Sequence, residues 1–135
     1  MRTGAHHGSM LTESTITTML PVTDSARAGH FYADSLGLKQ TGKGEDGTLY
    51  FEAGAGSIGL RAMPAGAQSE NTALSFEVTD LEGEIKALES RGVRFQDFEM
   101  EGLKTVAHIA ELGNERAAWF NDSEGNVLCL HQVLG

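Results

Sequence analysis

Val22-Thr23-Asp24 and Val78-Thr79-Asp80 decide how this chain is read, because one tripeptide opens two segments with the same local physics. A second anchor follows each copy at nearly the same distance: Ser35-Leu36-Gly37-Leu38 after the first and Ser90-Arg91-Gly92-Val93 after the second. One shared triplet is cheap by chance. Two anchors in step predict an internal repeat, which has to be recognised before single elements are assigned.

In each copy the aspartate stands where a helix should begin. Asp24 and Asp80 are N-cap candidates, whose carboxylates can accept from the free amides of a first helical turn, and Gly37 and Gly92 supply the left-handed residue that stops the helix. Between those limits Ala28, Phe31, Tyr32 and Leu36 recur at helical spacing in the first copy, as do Leu81, Ile85 and Leu88 in the second. Ahead of the helices the pattern alternates. Ile16, Thr18, Leu20 and Val22 share one side of a strand, and Leu74, Phe76 and Val78 share one side of another, so these sides should pack under the helices.

After each helix come shorter strands, predicted at about 38–43, 48–52 and 57–63 and then at about 93–99, 107–111, 116–120 and 126–132. Glu45-Asp46-Gly47, Gly54-Ala55-Gly56 and Ser123-Glu124-Gly125-Asn126 supply turns. The expected fold class is α+β: two tandem βαβββ units, about 14–63 and about 71–132, forming curved mixed sheets around a cleft with helices on the outer face.

A chain of 135 residues fits one domain, taken as 10–135. Residues 1–9, with His6-His7-Gly8-Ser9 ahead of Met10, read as an expression-tag remnant. No apolar run approaches the roughly eighteen residues a membrane helix needs. The formal charge of -9 disfavours nucleic acid, which wants clustered Lys and Arg. The single cysteine, Cys129, rules out an internal disulfide and a multi-cysteine zinc site, and it is compatible with a reducing cytoplasm.

Several motifs taken together resemble the vicinal oxygen chelate superfamily, which holds glyoxalase I, extradiol dioxygenases, fosfomycin-resistance enzymes and bleomycin-resistance proteins. They are Pro21-Val22-Thr23-Asp24, Arg27-Ala28 with Phe31-Tyr32, Leu36-Gly37-Leu38, Val78-Thr79-Asp80, Arg91-Gly92-Val93, and the run from Ala118-Trp119-Phe120 through Asn121-Asp122-Ser123-Glu124-Gly125-Asn126. The resemblance covers nearly all of 14–132. It implies a fold and leaves the activity open, because this fold hosts lyases, dioxygenases, epimerases, thiol transferases and drug-binding proteins.

In metal-dependent relatives a divalent ion is held by four side chains, from the two opening and the two closing strands of the repeats. On the opening strands the usual position, five before the valine of each tripeptide, falls on Thr17 and Ala73; on the closing strands it falls on Gly59, between Ile58 and Leu60, and on Cys129, between Leu128 and Leu130. A Thr, Ala, Gly and Cys set supplies neither a zinc site nor the oxygens of a magnesium or manganese site. Slipping a strand by one residue turns its side chains to the helix-packed face. Slipping by two brings Thr15 or Met19, Arg61, Ser75 and His131, and a guanidinium repels a metal. No metal and no cofactor is expected.

Other residues invite chemistry. His131 could act in acid–base catalysis or simply sit at the mouth of the cleft, and Arg61 could anchor a polar group of a ligand or pair with a carboxylate such as Glu77. Cys129 reads as a small lining side chain more readily than as a nucleophile. His108 and Glu111 tempt a dyad reading, but in a strand they face opposite sides. Trp119 with Tyr50, Met19, Phe98, Met100 and Leu103 offers an apolar and aromatic lining, and the Gly-containing segment from Asp97 to Thr105 reads either as a lid or as ordinary loop packing.

The expected ligand-contacting set is therefore Thr17, Met19, Tyr50, Gly59, Arg61, Ala73, Ser75, Phe98, Met100, Leu103, Trp119, Cys129 and His131, with no catalytic residue assigned. The leading expectation is a metal-free, bleomycin-resistance-like protein that sequesters a toxic natural product or antibiotic. The rival is an enzyme of the same fold: a glyoxalase-like lyase or isomerase with its metal ligands in another register, or a metal-free member using His131 and Arg61. A sensor or accessory subunit is a third reading. Relatives often pair their repeats across a dimer, which implies a symmetric homodimer with clefts shared between chains.

Overall fold

Both predicted caps are formed in the computed structural model, which describes residues 10–135; the predicted tag remnant, 1–9, lies outside the described residues. Asp24 accepts from the Arg27 amide at the start of α1 (Ser25–His30), which runs on into a π-helical turn, Phe31–Ser35. Asp80 accepts from the Gly83 amide at the start of α2 (Leu81–Ser90). Gly37 and Gly92 have φ of 73° and 92°, the left-handed conformation that ends each helix without steric cost.

The first unit is a four-stranded sheet in the order β1-β4-β3-β2, built from β1 (Thr17–Val22), β2 (Lys39–Lys43), β3 (Leu49–Ala53) and β4 (Gly56–Ala62). The second is a six-stranded sheet in the order β5-β10-β9-β8-β7-β6. Its strands are β5 (Thr72–Glu77), β6 (Glu99–Met100), β7 (Leu103–Val106), β8 (Ile109–Leu112), β9 (Glu115–Asn121) and β10 (Val127–Val133). In each sheet the opening strand pairs in parallel with the closing one, β1 with β4 and β5 with β10, and the remaining pairs are antiparallel. This is the α+β repeat that the two tripeptides predict.

Two expectations about the second unit change. The strand expected over 93–99 is mostly irregular, with Phe95 making one bridge to Phe120, and the sheet is instead extended by the β6–β7 hairpin. The strand expected from Ala107 begins only at Ile109, because Ala107 (φ 54°) and His108 (φ 74°) form a tight two-residue turn between β7 and β8. Two successive positive φ values match the right-handed twist of a hairpin, and they are uncommon for residues carrying a Cβ.

The sides predicted to face the helices do so from Thr18 onward in the first unit and, partly buried, at Leu74, Phe76 and Val78 in the second; Ile16, ahead of β1, is exposed instead. Leu20, Val22, Ile58, Leu60 and Phe51 of the first sheet, Ala28 and Tyr32 of the first helical segment, and Leu81, Ile85, Leu88, Phe120, Leu128 and Leu130 of the second unit form one continuous core. Each such fully buried large side chain contributes about 1.5–3 kcal/mol relative to exposure.

Polar contacts lock the units together where the β9–β10 turn meets α1. The side chain of Glu124 is fully covered and accepts five hydrogen bonds: from the Thr23 and Asp24 amides, from Arg27 Nε and Nη2, and from Ser123 Oγ. The Arg27 guanidinium, with those amides, holds the Glu124 carboxyl down at about 2 against the opposing effect of burial. Tyr32, fully buried, donates to Asp122 Oδ2 at 2.5 Å, and both burial and that carboxylate push its phenol well above the ordinary range. Asn126 donates to the Pro21 carbonyl at 2.9 Å, and Arg91 Nε donates to the Ser35 carbonyl at 2.7 Å.

Candidate functional site

Since alternate residues of β1, β4 and β3 enter the core, those between them share the opposite face. Met19, Gly59 and Tyr50 form one lateral row across that face. A Cβ built on Gly59 would lie 2.8 Å from Met19 Sδ and 3.1 Å from Tyr50 Cε1, so the thioether and the phenol ring close over the glycine. With the two side chains where they stand, a Cβ at this position would force the Met19 thioether aside. In the next row Thr17 Oγ1 and Ser57 Oγ are hydrogen-bonded at 2.9 Å. Arg61 is exposed on the same face. Its charge reaches Asp46, whose carboxyl is held low chiefly by the Thr48 amide and hydroxyl and, after these, by Arg61.

On the second sheet the corresponding face carries two rows: Ser75, Cys129 and Trp119, then Glu77, His131 and Ala117. Ser75 Oγ lies 2.6 Å from His131 Nδ1, and His131 Nε2 is 4.0 Å from Glu77 Oε1. The Trp119 ring meets Phe98 edge-on, with centroids 5.6 Å apart at 87°, and its Nε1 donates to Thr72 Oγ1 at 3.2 Å. Burial pushes the Cys129 thiol up, so the neutral form predominates and a lining role suits it better than nucleophilic attack.

The structure thus brings the expected residues together in two groups, Met19, Gly59 and Tyr50 on one sheet and Ser75, Cys129, His131, Trp119 and Phe98 on the other. Among the described residues no hydrogen bond, ion pair or ring contact joins one group to the other. Arg61 does not pair with Glu77, whose carboxylate instead lies 4.0 Å from His131 Nε2. Ala73 falls at a register shift: Thr72 is opposite Val127 and Leu74 opposite Leu128, which leaves Ala73 as the extra residue of a bulge. Counting at fixed spacing passes over Thr72, the residue that holds the indole.

Met100 and Leu103 stand elsewhere. They line a cavity of about 800 Å³ between α2 and the β6–β8 strands, together with Ile85, Lys86, His108 and Glu111. There His108 is held by Asp97 at 2.9 Å and Glu89 at 3.1 Å and lies against the Phe95 ring. His108 and Glu111 thus share a cavity wall without touching as a dyad. The segment Asp97 to Thr105 is tied by bonds from the Phe98 amide to Thr105 Oγ1 and from the Thr105 amide to the Phe98 carbonyl.

The four ligand positions of the metal-dependent pattern do not fit a divalent ion. Thr17 is engaged with Ser57, Gly59 offers no donor and is covered by Met19 and Tyr50, Ala73 has none, and the Cys129 thiol is disfavoured as thiolate. Among the described residues no three His, Cys, Asp or Glu side chains are placed to hold a metal.

Residues 16–130 match the family model described as the Glyoxalase/Bleomycin resistance protein/Dioxygenase superfamily. The chain belongs to that superfamily. Solved structures agree in fold. TnmS3, an antibiotic binding protein from Streptomyces sp. CB03234, is 24% identical with a TM-score of 0.71, covering 93% of this chain and 99% of its own. A glyoxalase/bleomycin resistance protein from the same strain is 25% identical with a TM-score of 0.66, covering 88% and 100%. Lactoylglutathione lyase from Agrobacterium tumefaciens is 16% identical with a TM-score of 0.67, covering 89% and 93%. No curated protein is significantly similar in sequence. Proteins named for different roles therefore share this backbone, and the fold alone does not assign any one of those roles.

Proposed function

We propose that this protein is a small-molecule binding member of the superfamily that works without a metal and sequesters a flat, partly aromatic natural product such as an antibiotic. The observation that carries the reading is Gly59 roofed by Met19 and Tyr50, which fills with apolar surface a position that metal-dependent relatives give to a carboxylate. Trp119 and Phe98 add an aromatic wall on the second sheet, and aromatic walls with a few polar groups are what small-molecule sites are made of. The antibiotic binding neighbour points the same way. Arg61 and His131 stand on different sheets, so their placement lends no support to a metal-free enzyme that pairs them.

Two measurements on dialysed, tag-free protein test this. Elemental analysis should find no stoichiometric divalent ion, and a thermal-stability screen against flat aromatic natural products should raise Tm by several degrees for at least one, since a ligand of the native state alone stabilises it. A stoichiometric bound ion would sink the reading.

The site is proposed to be completed in a homodimer. Edge strands β1 and β5 each have one unpaired side, and Met19, on the open face of β1, is 48% exposed. Sedimentation should give twice the 14.4 kDa chain mass; a monomer at tens of micromolar would remove the shared cleft. No described helix is long and apolar enough to cross a membrane. A cytoplasmic location is part of the proposal and rests on the free, buried Cys129.

A further inference from the structure

His131 sits on the open face of the second sheet, on the same side of β10 as Cys129, about 7 Å further along at two strand residues. Its ring is three-quarters covered, with a side-chain exposure of 25%. The two ring nitrogens are in different company. Nδ1 is 2.6 Å from Ser75 Oγ, a strong hydrogen bond, whereas Nε2 has no hydrogen-bond partner among the described residues and faces the Glu77 carboxylate at 4.0 Å, beyond bonding range.

The tautomer follows from those neighbours. A negative carboxylate beside Nε2 favours the form that carries its proton there, and the Ser75 hydroxyl then donates to the free pair of Nδ1. That arrangement leaves an N–H with its direction set and no protein partner among the described residues, at a ring edge still open to solvent. A bound molecule with an acceptor oxygen there would take the place of water on that donor.

We infer that Ser75 fixes the tautomer of His131 so that its Nε2–H donates to an acceptor oxygen, of the carbonyl class, on the edge of an aromatic ligand lying against Trp119. The inference rests on the small-molecule binding reading above and adds to it the polar group by which the ligand is chosen. Trp119 and Phe98 hold the flat surface, and Trp119 Nε1 is occupied by Thr72, so the indole does not compete for that oxygen. Ser75 is a positioning residue, acting on the ligand through the imidazole. Glu77 repels anionic groups, which favours a neutral carbonyl over a carboxylate.

A matched pair of probes separates the polar contact from the apolar one. Fluorene and 9-fluorenone share one flat skeleton and differ by a methylene against a carbonyl, and Trp119 is the only tryptophan, so quenching of its emission reports on this face directly. The wild-type protein should bind fluorenone about five-fold more tightly than fluorene, the effect of one ordinary hydrogen bond. His131→Phe should bind the two equally. Ser75→Ala should lose most of the preference and Ser75→Thr should restore it, a pattern that a merely structural role for Ser75 would not produce.

Equal affinities in the wild-type protein, or a preference that survives in His131→Phe, would overturn the inference while leaving the aromatic binding face in place. Failure of both compounds to quench Trp119 would overturn the inference together with the reading beneath it.

Discussion

Glu124→Ala should lower the stability of the fold by about 2–4 kcal/mol, the largest effect expected of any single polar substitution here. The carboxylate is fully covered and serves five donors, and two of these, the Thr23 and Asp24 amides, stand at the entrance to α1. Truncation strands them together with the Arg27 guanidinium. Arg27 is about half exposed and can turn to water, which keeps the cost below that of a wholly buried pair. Urea unfolding should show a lower midpoint with an unchanged slope. An unfolding free energy within about 0.5 kcal/mol of wild type would mean that the turn and helix are held by other contacts.

The same carboxylate predicts the acid limb of the stability profile. Its folded value is about 2 against an ordinary 4.5, so the folded state binds its proton less readily than the unfolded chain. The stabilisation is therefore complete above about pH 5 and is lost progressively as pH falls from 4.5 towards 2. Glu124→Gln, which keeps the shape and removes the charge, should flatten that limb. A limb of undiminished steepness in the glutamine variant would assign it to other carboxylates.

Trp119→Ala should weaken binding of the aromatic compound that gives the largest thermal shift by about 30-fold or more, the loss typical of removing a central aromatic anchor. The indole is half-buried on the open face, braced by the Phe98 edge and by the bond to Thr72. Removing it deletes the broadest flat surface of that sheet. Calorimetry is the suitable measurement, since the variant has no tryptophan to report. Met100→Ala is the informative control, because Met100 lines the cavity beside α2. Unchanged affinity in that variant keeps the ligand on the sheet face. A loss as large as that in Trp119→Ala would move it to the cavity.

Much of the architecture was legible before the structure because it depends on local rules. A carboxylate at a helix start, a glycine at its end and apolar residues at a spacing of two or of 3.6 act over a few residues, and so Asp24, Asp80, Gly37, Gly92 and the strand alternation stand where expected. The turn at Ala107-His108 was missed because ordinary residues there adopt a glycine-like backbone under the demand of hairpin twist, and the β6–β7 hairpin, which turns at Gly102, was missed because strands of two and four residues are too short for alternation to show. Thr72 was missed for a different reason. A bulge at Ala73 moves the register by one residue, and nothing in the local composition marks it.

The candidate site divides along the same line. The sequence by itself determined that the two Val-Thr-Asp copies open equivalent units, since two anchors in step are enough for that; for the ligand positions it set the expectation that Thr17, Ala73, Gly59 and Cys129 make no metal-binding set. Only the tertiary structure decided which side chains meet. Met19 and Tyr50 stand 31 positions apart and close over Gly59, Ser75 meets His131 across 56 residues, and Glu124 reaches back about 100 residues to the start of α1. Contacts of that kind depend on strand register and on how two sheets share one core, and a chain read in order contains neither.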